Sequence, residues 1–205
     1  MEKKAIYNLS YGVFVLGSSD GKKINACITN TCMQVANEPI RVVISILNQN
    51  LTCDFVKKSG FFSLSVLDKT CSFNIIKHFG FQSGKNVDKF AEFPHEIDKN
   101  GSPFIKESVC AVLQCKVLSS QNLGTHTFFI AEVQDAKILS EENPLTYAEY
   151  QSVLKPKQSI NKEKKIIGWK CKICGYEYKF PEMPKDFECP ICSHSGENFE
   201  PIYEN

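Results

Sequence analysis

Residues 11–39 read YGVFVLGSSDGKKINACITNTCMQVANEP, and this stretch sets the expectation for the first three-quarters of the chain. Two runs rich in β-branched and aromatic residues, GVFVLGS (12–18) and INACITN (24–30), flank SDGKK. Asp20-Gly21 stands where a tight hairpin turn needs residues that accept positive φ. Runs of the same kind follow at 40–47 (IRVVISIL), 61–67 (FFSLSVL), 108–118 (SVCAVLQCKVL) and 126–138 (HTFFIAEVQDAKI). Short helices are predicted around 53–59 ended by Gly60, around 71–79 ended by Gly80, and over 147–153 behind a Thr146 cap. Strands outnumber helices and do not alternate with them, which predicts a mainly β fold of barrel type rather than a doubly wound parallel sheet. No G-x-G-x-x-G and no G-x-x-x-x-G-K-[ST] occurs, so a nucleotide cofactor would not be held in the Rossmann or P-loop manner.

Two segments of this β region are polar where a half-buried strand should alternate. One is INACITNTCMQV (24–35), with Asn25, Thr29, Asn30 and Thr31; the other is FGFQSGKNVDKF (79–90), rich in Gly and amides, with Lys85. Small and amide side chains let backbone approach a flat polar ligand, and Lys85 can offset a phosphate. A polar edge strand and a solvated loop would read the same way.

The C-terminal quarter carries C-x2-C-x14-C-x2-C, formed by Cys171, Cys174, Cys189 and Cys192. A tight turn brings each pair of thiolates to one ion, and two such turns complete a tetrahedron suited to zinc or a single iron. Charge marks the boundary. Residues 1–154 carry fifteen basic and fifteen acidic groups, KPKQSINKEKK (155–165) is net +4, and 166–205 is net −3. The expected organisation is therefore a large domain 1–154, a Lys-rich linker 155–165 and a small domain 166–205. A segment of about forty residues supplies little core and needs a metal staple. The other six cysteines, Cys27, Cys32, Cys53, Cys71, Cys110 and Cys115, are scattered and read as small buried hydrophobes.

With 42% apolar and 23% charged residues and a net charge of +1, the chain is expected to be globular and soluble, with no nucleic-acid field. No run of eighteen apolar residues occurs, and MEKKAIYNLS lacks the apolar centre of a signal peptide. The expectation is a cytoplasmic protein that does not enter a membrane.

WKCKICGYEY (169–178) and MPKDFECPICSHSGENFEPI (183–202) resemble rubredoxin. That resemblance implies one Fe2+/Fe3+ ion on Cys171, Cys174, Cys189 and Cys192, with Trp169, Tyr176, Tyr178, Phe187 and Phe199 as a miniature core. Ser193 replaces the usual Gly, and the spacer between the pairs is short. YGVFVLGSSDGKKINACITNTCMQVANEP, LNQNLTCDFVKKSGFFSLSVL (47–67), FGFQSGKNVDKF, GTHTFFIAEVQDAKIL (124–139) and PLTYAEY (144–150) are similar to the flavin reductase-like family. Its members have an FMN-binding split β-barrel, here in the subgroup fused to a C-terminal rubredoxin domain.

The resemblance implies that strand 25–31 lines the isoalloxazine, with Asn25, Cys27, Thr29, Asn30 and Thr31 nearest. Asn48, Gln49, Asn50 and Thr52 would lie at the ribityl phosphate, where a helix starting near Cys53 offers N–H groups. Phe81, Gln82, Ser83 and Lys85 would approach from the later loop, and His126 would stand near flavin and nicotinamide. Cys53 departs from the frequent Thr-His-Asp, and no Lys occupies 47–49, which leaves Lys85 for the phosphate. The implied activity is oxidation of NAD(P)H through FMN, with single electrons leaving by the iron centre to a flavodiiron protein or another acceptor, in a homodimer. The rival expectation is a non-enzymatic flavin- or ligand-binding barrel with a structural zinc ribbon for protein docking.

Overall fold

The computed structural model describes residues 2–156 and 166–203, and most of the Lys-rich 155–165 segment lies outside the described residues. The chain forms two compact units that divide between Lys155 and Pro156.

The first unit opens with β1 (Phe14–Ser19), β2 (Ile24–Thr29), β3 (Cys32–Asn37) and β4 (Ile40–Leu47). α1 (Leu51–Ser59) and β5 (Phe61–Leu67) follow, then α2 (Phe73–Gly80) and two short strands, β6 (Glu96–Ile97) and β7 (Pro103–Phe104). Two long strands, β8 (Val109–Asn122) and β9 (His126–Ile138), precede α3 (Tyr147–Glu149), which widens into a further turn at Tyr150–Leu154. The β1–β2 hairpin turns at Gly21 with φ +89°, and Asp20 Oδ1 accepts from the amides of Lys22 and Lys23.

Seven strands form one antiparallel sheet in the order β2-β1-β5-β8-β9-β4-β3, so β2 and β3 stand at opposite edges. Only Asn30 and Thr31 separate them. Two linking residues reach about 11 Å between flanking Cα atoms, whereas a flat seven-stranded sheet is about 29 Å across. The sheet must therefore roll until its edges meet, and Thr29 Oγ1 on one edge donates to the Ser45 carbonyl of β4. This is a β-barrel split between β2 and β3.

Alternation along the strands separates two apolar clusters. Leu16, Cys27, Ile44, Phe62, Leu64, Cys115 and Phe129 come from six strands and fill the barrel together with Cys53 and Val56 of α1. Val13, Val15 and Ala26 face outward and are covered by Ile75, Ile76 and Phe79 of α2, by Phe90–Ile105 and by Leu145 and Tyr150. A Cβ on Gly17 would fall 1.9 Å from the Pro103 carbonyl, so only glycine lets β7 lie across β1.

Several expectations are refined. INACITN forms β2 and ends at Thr29, one residue short of its expected end, and a further strand, β3, begins at Cys32, because Asn30-Thr31 is where the barrel splits. Helix α1 starts at Leu51, two residues before the expected position, because Asn50 caps it through Thr52 N. Gly60 ends it with φ +74°, as expected. β8 runs on to Asn122 because β9 pairs with it along that whole length. Thr146 and Glu149 form a reciprocal capping box at α3, further held by Lys69.

The second unit is a three-stranded antiparallel sheet, with β10 (Ile166–Cys171) between β11 (Glu177–Tyr178) and β12 (Phe199–Tyr203). Its core is aromatic. Phe199 is fully buried and meets Phe187 and Tyr176 edge-on, Tyr178 packs on Phe187, and Trp169 Nε1 donates to the Pro181 carbonyl.

Candidate functional site

Each unit assembles one candidate site. In the second, the ligand atoms of Cys171, Cys174, Cys189 and Cys192 all lie within 4.8 Å of one another, with 3.6 Å between Cys171 and Cys192 and 3.3 Å between Cys174 and Cys189. Thiolates about 2.3 Å from a tetrahedral ion stand about 3.8 Å apart, whereas a disulfide would bring sulfurs to about 2.05 Å. The donor set therefore fits one metal ion.

Two matching turns build this site. Gly175 N donates to the Cys171 carbonyl and Ser193 N to the Cys189 carbonyl, both at 2.8 Å. Gly175 takes φ +79° and Ser193 takes φ +55°, so the serine adopts the left-handed turn despite its Cβ. The aromatic cluster closes over the inner side: Cys171, Cys189 and Cys192 are buried, and Cys174 is the most accessible of the four. Cys171 and Cys192 share one proton across their contact, which lowers Cys171 and raises Cys192 from the ordinary thiol value.

In the barrel, three segments meet at β2. Asn25 Nδ2 donates to Thr52 Oγ1 at 2.9 Å, and Thr52 N donates to Asn50 Oδ1 at 3.0 Å. The 79–90 loop lies directly on the same strand. A Cβ at Gly84 would fall 2.2 Å from Asn25 Oδ1, and Lys89 Nζ donates to the Ala26 carbonyl at 2.8 Å and the Phe79 carbonyl at 2.7 Å. The two polar segments singled out in the sequence, together with the start of α1, thus form one locus around Asn25, Cys27, Thr52, Gly84 and Lys89.

The remaining expected residues divide by position. Asn30 and Thr31 form the crossing between barrel edges, where Thr31 N donates to Thr29 Oγ1. Asn48 uses its amide within the protein: Nδ2 donates to the Gly124 carbonyl, and Oδ1 accepts from Thr127 Oγ1. Gln49 is exposed. The amides of Thr52 and Cys53 both go to Asn50, so these two N–H groups are already used at the helix start. Phe81 packs edge-on against Phe73, Gln82 bonds back to the His78 carbonyl, and Ser83 Oγ accepts from Lys85 N. The Lys85 side chain is exposed. His126 opens β9 opposite Leu47, with Nδ1 2.8 Å from Thr125 Oγ1, and the adjoining Asn48 N donates to the Thr125 carbonyl.

Lys89 was not singled out in the sequence, where it looks no different from Lys85. The fold separates them: Lys89 is 3% exposed. Burial pushes its ammonium below the ordinary lysine value, with the neighbouring Cys27 opposing. Burial also raises all six barrel thiols, Cys32 and Cys71 to about 12, which matches their reading as inert apolar residues.

Residues 6–153 match the flavin reductase like domain, and residues 169–200 the rubrerythrin, rubredoxin-like domain. The chain belongs to the flavin reductase-like family. Its barrel is this family's flavin-binding domain, and the four-thiol unit is a rubredoxin-like metal site joined to it. The high molecular weight rubredoxin of Moorella thermoacetica is 31% identical over 98% of this flavin reductase-like chain and all of its own length. The ferric-chelate reductase (NAD(P)H) of Archaeoglobus fulgidus is 34% identical over 77% of this chain and 93% of its own. A putative diflavin flavoprotein A 2 of Synechocystis sp. is 25% identical over 73% of this chain, which spans only 26% of that protein. Among solved structures, the NADH:FAD oxidoreductase of Streptomyces globisporus superposes with a TM-score of 0.64 at 21% identity, covering 70% of this chain and 85% of its own. That likeness carries the fold of the flavin reductase-like barrel.

Asn25, Thr29, Thr52 and Lys89 are buried around β2 and spend polar atoms within the protein, Asn25 on Thr52, Thr29 on the Ser45 carbonyl and Lys89 on two carbonyls, so the barrel's tie to flavin rests on the family match. Among the described residues no helix is long and apolar enough to cross a membrane.

Proposed function

We propose that this chain oxidises NAD(P)H through FMN held at the barrel locus and sends single electrons through iron held by Cys171, Cys174, Cys189 and Cys192 to a separate acceptor. It is an NAD(P)H-dependent flavin oxidoreductase. One observation carries it: four thiols that converge on one ion, within a rubredoxin-like unit, are built into the same chain as a flavin reductase-like barrel. Bound flavin supplies the conversion between a two-electron donor and one-electron acceptors.

The chain's own residues supply placement. Asn25, Cys27, Thr29, Asn30 and Thr31 flank the ring, Asn48, Gln49, Asn50 and Thr52 lie at the ribityl phosphate, and Phe81, Gln82, Ser83 and Lys85 approach the cofactor from the later loop. His126 borders the nicotinamide. Since Thr52 N and Cys53 N are bound to Asn50, the exposed Lys85 carries more of the phosphate contact. Gly175 and Ser193 shape the turns that present sulfur to iron, and Phe187 and Phe199 exclude water from it. The acceptor is a flavodiiron protein that reduces O₂ or NO, in keeping with a relative named as a diflavin flavoprotein. The working division is a flavin domain 1–154, a linker 155–165 and an iron domain 166–205, in a cytoplasmic homodimer.

The test is anaerobic reduction of the purified full chain with NADH and with NADPH, following flavin and iron absorbance separately. Flavin bleaching followed by iron bleaching is expected. A chain ending at Ser159 should still oxidise the nicotinamide with an artificial acceptor but lose transfer to a flavodiiron partner. A colourless protein with stoichiometric zinc, unreactive to both nicotinamides, would overturn the reading in favour of a docking module.

A further inference from the structure

Three of the four buried side-chain polar atoms that find no partner among the described residues come from one five-residue turn: Asp98 Oδ2, Asn100 Nδ2 and Ser102 Oγ. The turn closes the β6–β7 hairpin, where Asp98 N donates to the Ser102 carbonyl and Gly101 takes φ +84°. Residues opposite each other in a hairpin have Cβ atoms about 4.5–5.5 Å apart on one face, so the Asp98 and Ser102 side chains stand together. Asp98 is 7% and Ser102 1% exposed. Asp98 Oδ1 already serves the turn, accepting from the amides of Asn100 and Ser102, both at 2.8 Å. An asparagine would serve it equally, so the turn accounts for one oxygen and leaves the second, with its negative charge, unanswered. Among the described residues no Lys, Arg or His pairs with Asp98. A carboxylate taken out of water without a counter-charge is costly. Its charge reaches the barrel wall, where burial, then Cys32, then Asp98 hold the Cys115 thiol above its ordinary value.

We propose that Asp98, Asn100 and Ser102 hold one hard metal cation, with Ca2+ the ion their chemistry suits, and that it pins the β6–β7 hairpin to the barrel. Hard cations take carboxylate, amide and hydroxyl oxygens, and Ca2+ accepts them in irregular geometry. Asp98 Oδ2 supplies the charge and Ser102 Oγ a neutral oxygen. A half-turn of the Asn100 amide puts its oxygen where Nδ2 now lies. The positions 98, 100 and 102 have the spacing of the first three ligands of a calcium loop, while Val109 stands where such a loop carries its bidentate Glu. With a single carboxylate the site belongs to the weak class, with a dissociation constant of about 10⁻⁴–10⁻³ M. Asn100 is only half-buried, so water can complete the shell from the outer side of the turn. A buried water alone would answer the three orphaned atoms but leave the charge uncompensated. The ion would act where the hairpin already meets the barrel, beside the bonds from Ser63 Oγ to the Pro103 carbonyl and from Ser65 Oγ to the Ile105 carbonyl.

The experiment uses the full chain, dialysed into choline chloride. Barrel melting is followed by far-UV circular dichroism and Ca2+ uptake by calorimetry, in wild type, Asp98→Asn and Ser102→Ala. The melts are repeated with Mg2+ and Na+ at equal ionic strength. Ca2+ at about ten times its dissociation constant should raise the wild-type barrel midpoint by about 3–5 °C. Mg2+ should raise it less, because it demands a regular octahedron and sheds water reluctantly, and Na+ should also raise it less. Asp98→Asn keeps the acceptor for both turn amides and removes the charge. It should lose the Ca2+ shift and take up one ion fewer per chain, and without ions it should melt no lower than wild type. Ser102→Ala should weaken Ca2+ binding at least about tenfold, the loss that follows even from removing a group one shell further from a metal.

A wild type that melts alike in choline, Na+, Mg2+ and Ca2+ would overturn the proposal and leave a buried water at the turn. A Ca2+ shift of equal size in Asp98→Asn would overturn it too, by placing the ion elsewhere. A response to Mg2+ or Na+ as large as that to Ca2+ overturns the choice of ion. If Asp98→Asn does not fold, Ser102→Ala decides, since it leaves every hydrogen bond of the turn in place: an unchanged Ca2+ affinity in that variant refutes the site.

Discussion

Replacing Thr52 by Val retains the β-branched shape and removes one oxygen. Asn25 Nδ2 then loses an acceptor at 2.9 Å, in a place where Asn25 is 3% and Thr52 0% exposed. The Gly84 backbone lies against the same amide, where an added Cβ would fall 2.7 Å from Asn25 Nδ2. An orphaned buried donor costs about 1–3 kcal/mol, so a loss of about 2 kcal/mol is expected. For a domain of this size that lowers Tm by about 4–8 °C. Asn25→Ala removes the donor from the other side, and the double variant should be less destabilised than the two single variants added together, with a coupling of about 1 kcal/mol. Far-UV circular dichroism reports the barrel. Trp169, the single tryptophan, belongs to the second unit, so its fluorescence transition should stay in place as a control. FMN affinity should fall in the same variants. A Thr52→Val protein melting within about 1 °C of wild type, with strictly additive effects, would refute the reading of these residues as one buried network.

Three further outcomes follow from other parts of the molecule. Cys189→Ala removes one of four converging thiols; iron absorbance should disappear and the Trp169 environment loosen, since metal affinity is folding energy in so small a unit, while the barrel melts as before. Ser193→Gly relieves a residue held at φ +55° and should slow loss of the metal to a chelator, with a gain of about 1 kcal/mol or less, readable as a shifted denaturant midpoint for the second unit. Acid unfolding of the barrel should report two carboxylates held at about 2: Glu149 by Lys69 and the Thr146 cap, and Asp20 by the amides of Lys23 and Lys22 and by Lys58. Both are depressed, so their stabilisation is complete above the ordinary carboxylate range and is lost as pH falls towards 2. Lys69→Met should move the acid midpoint upward, and Lys58→Met should move it less because the backbone donors to Asp20 remain.

The metal site was legible because its chemistry is local. Two residues between cysteines define a turn wherever they occur, and the flanking Trp169, Phe187 and Phe199 belong to the same short unit that they stabilise. Most strands were legible for a similar reason. Residues 40–47, 61–67 and 126–138 have the bounds that their β-branched runs predict, because each is long enough to pair along its whole length. Gly60 marked the end of α1 because left-handed φ favours glycine at that position.

A split barrel was expected, but the strand order that closes it was not legible. It depends on β2 and β3 standing at opposite edges of a seven-stranded sheet, a consequence of pairings as distant as Arg41 with Glu132. No window of sequence contains that information, and INACITN gives no sign that a second strand follows it at the far edge of the sheet. The same closure brings β2, the start of α1 and the 79–90 loop to a single place. It also decides which lysine of that loop matters. Lys85 and Lys89 lie four residues apart in one loop, Lys85 between Gly84 and Asn86 and Lys89 between Asp88 and Phe90. One remains in water, and the other is carried under the strand, because only the tertiary packing of Phe79, Phe90 and Ala26 sets which side of the loop faces inward. The sequence by itself determined the metal chemistry and the β-rich class, since both depend on near neighbours. The tertiary structure alone decided which strands close the barrel and which lysine is buried against it, since both depend on contacts between segments that only the fold brings together.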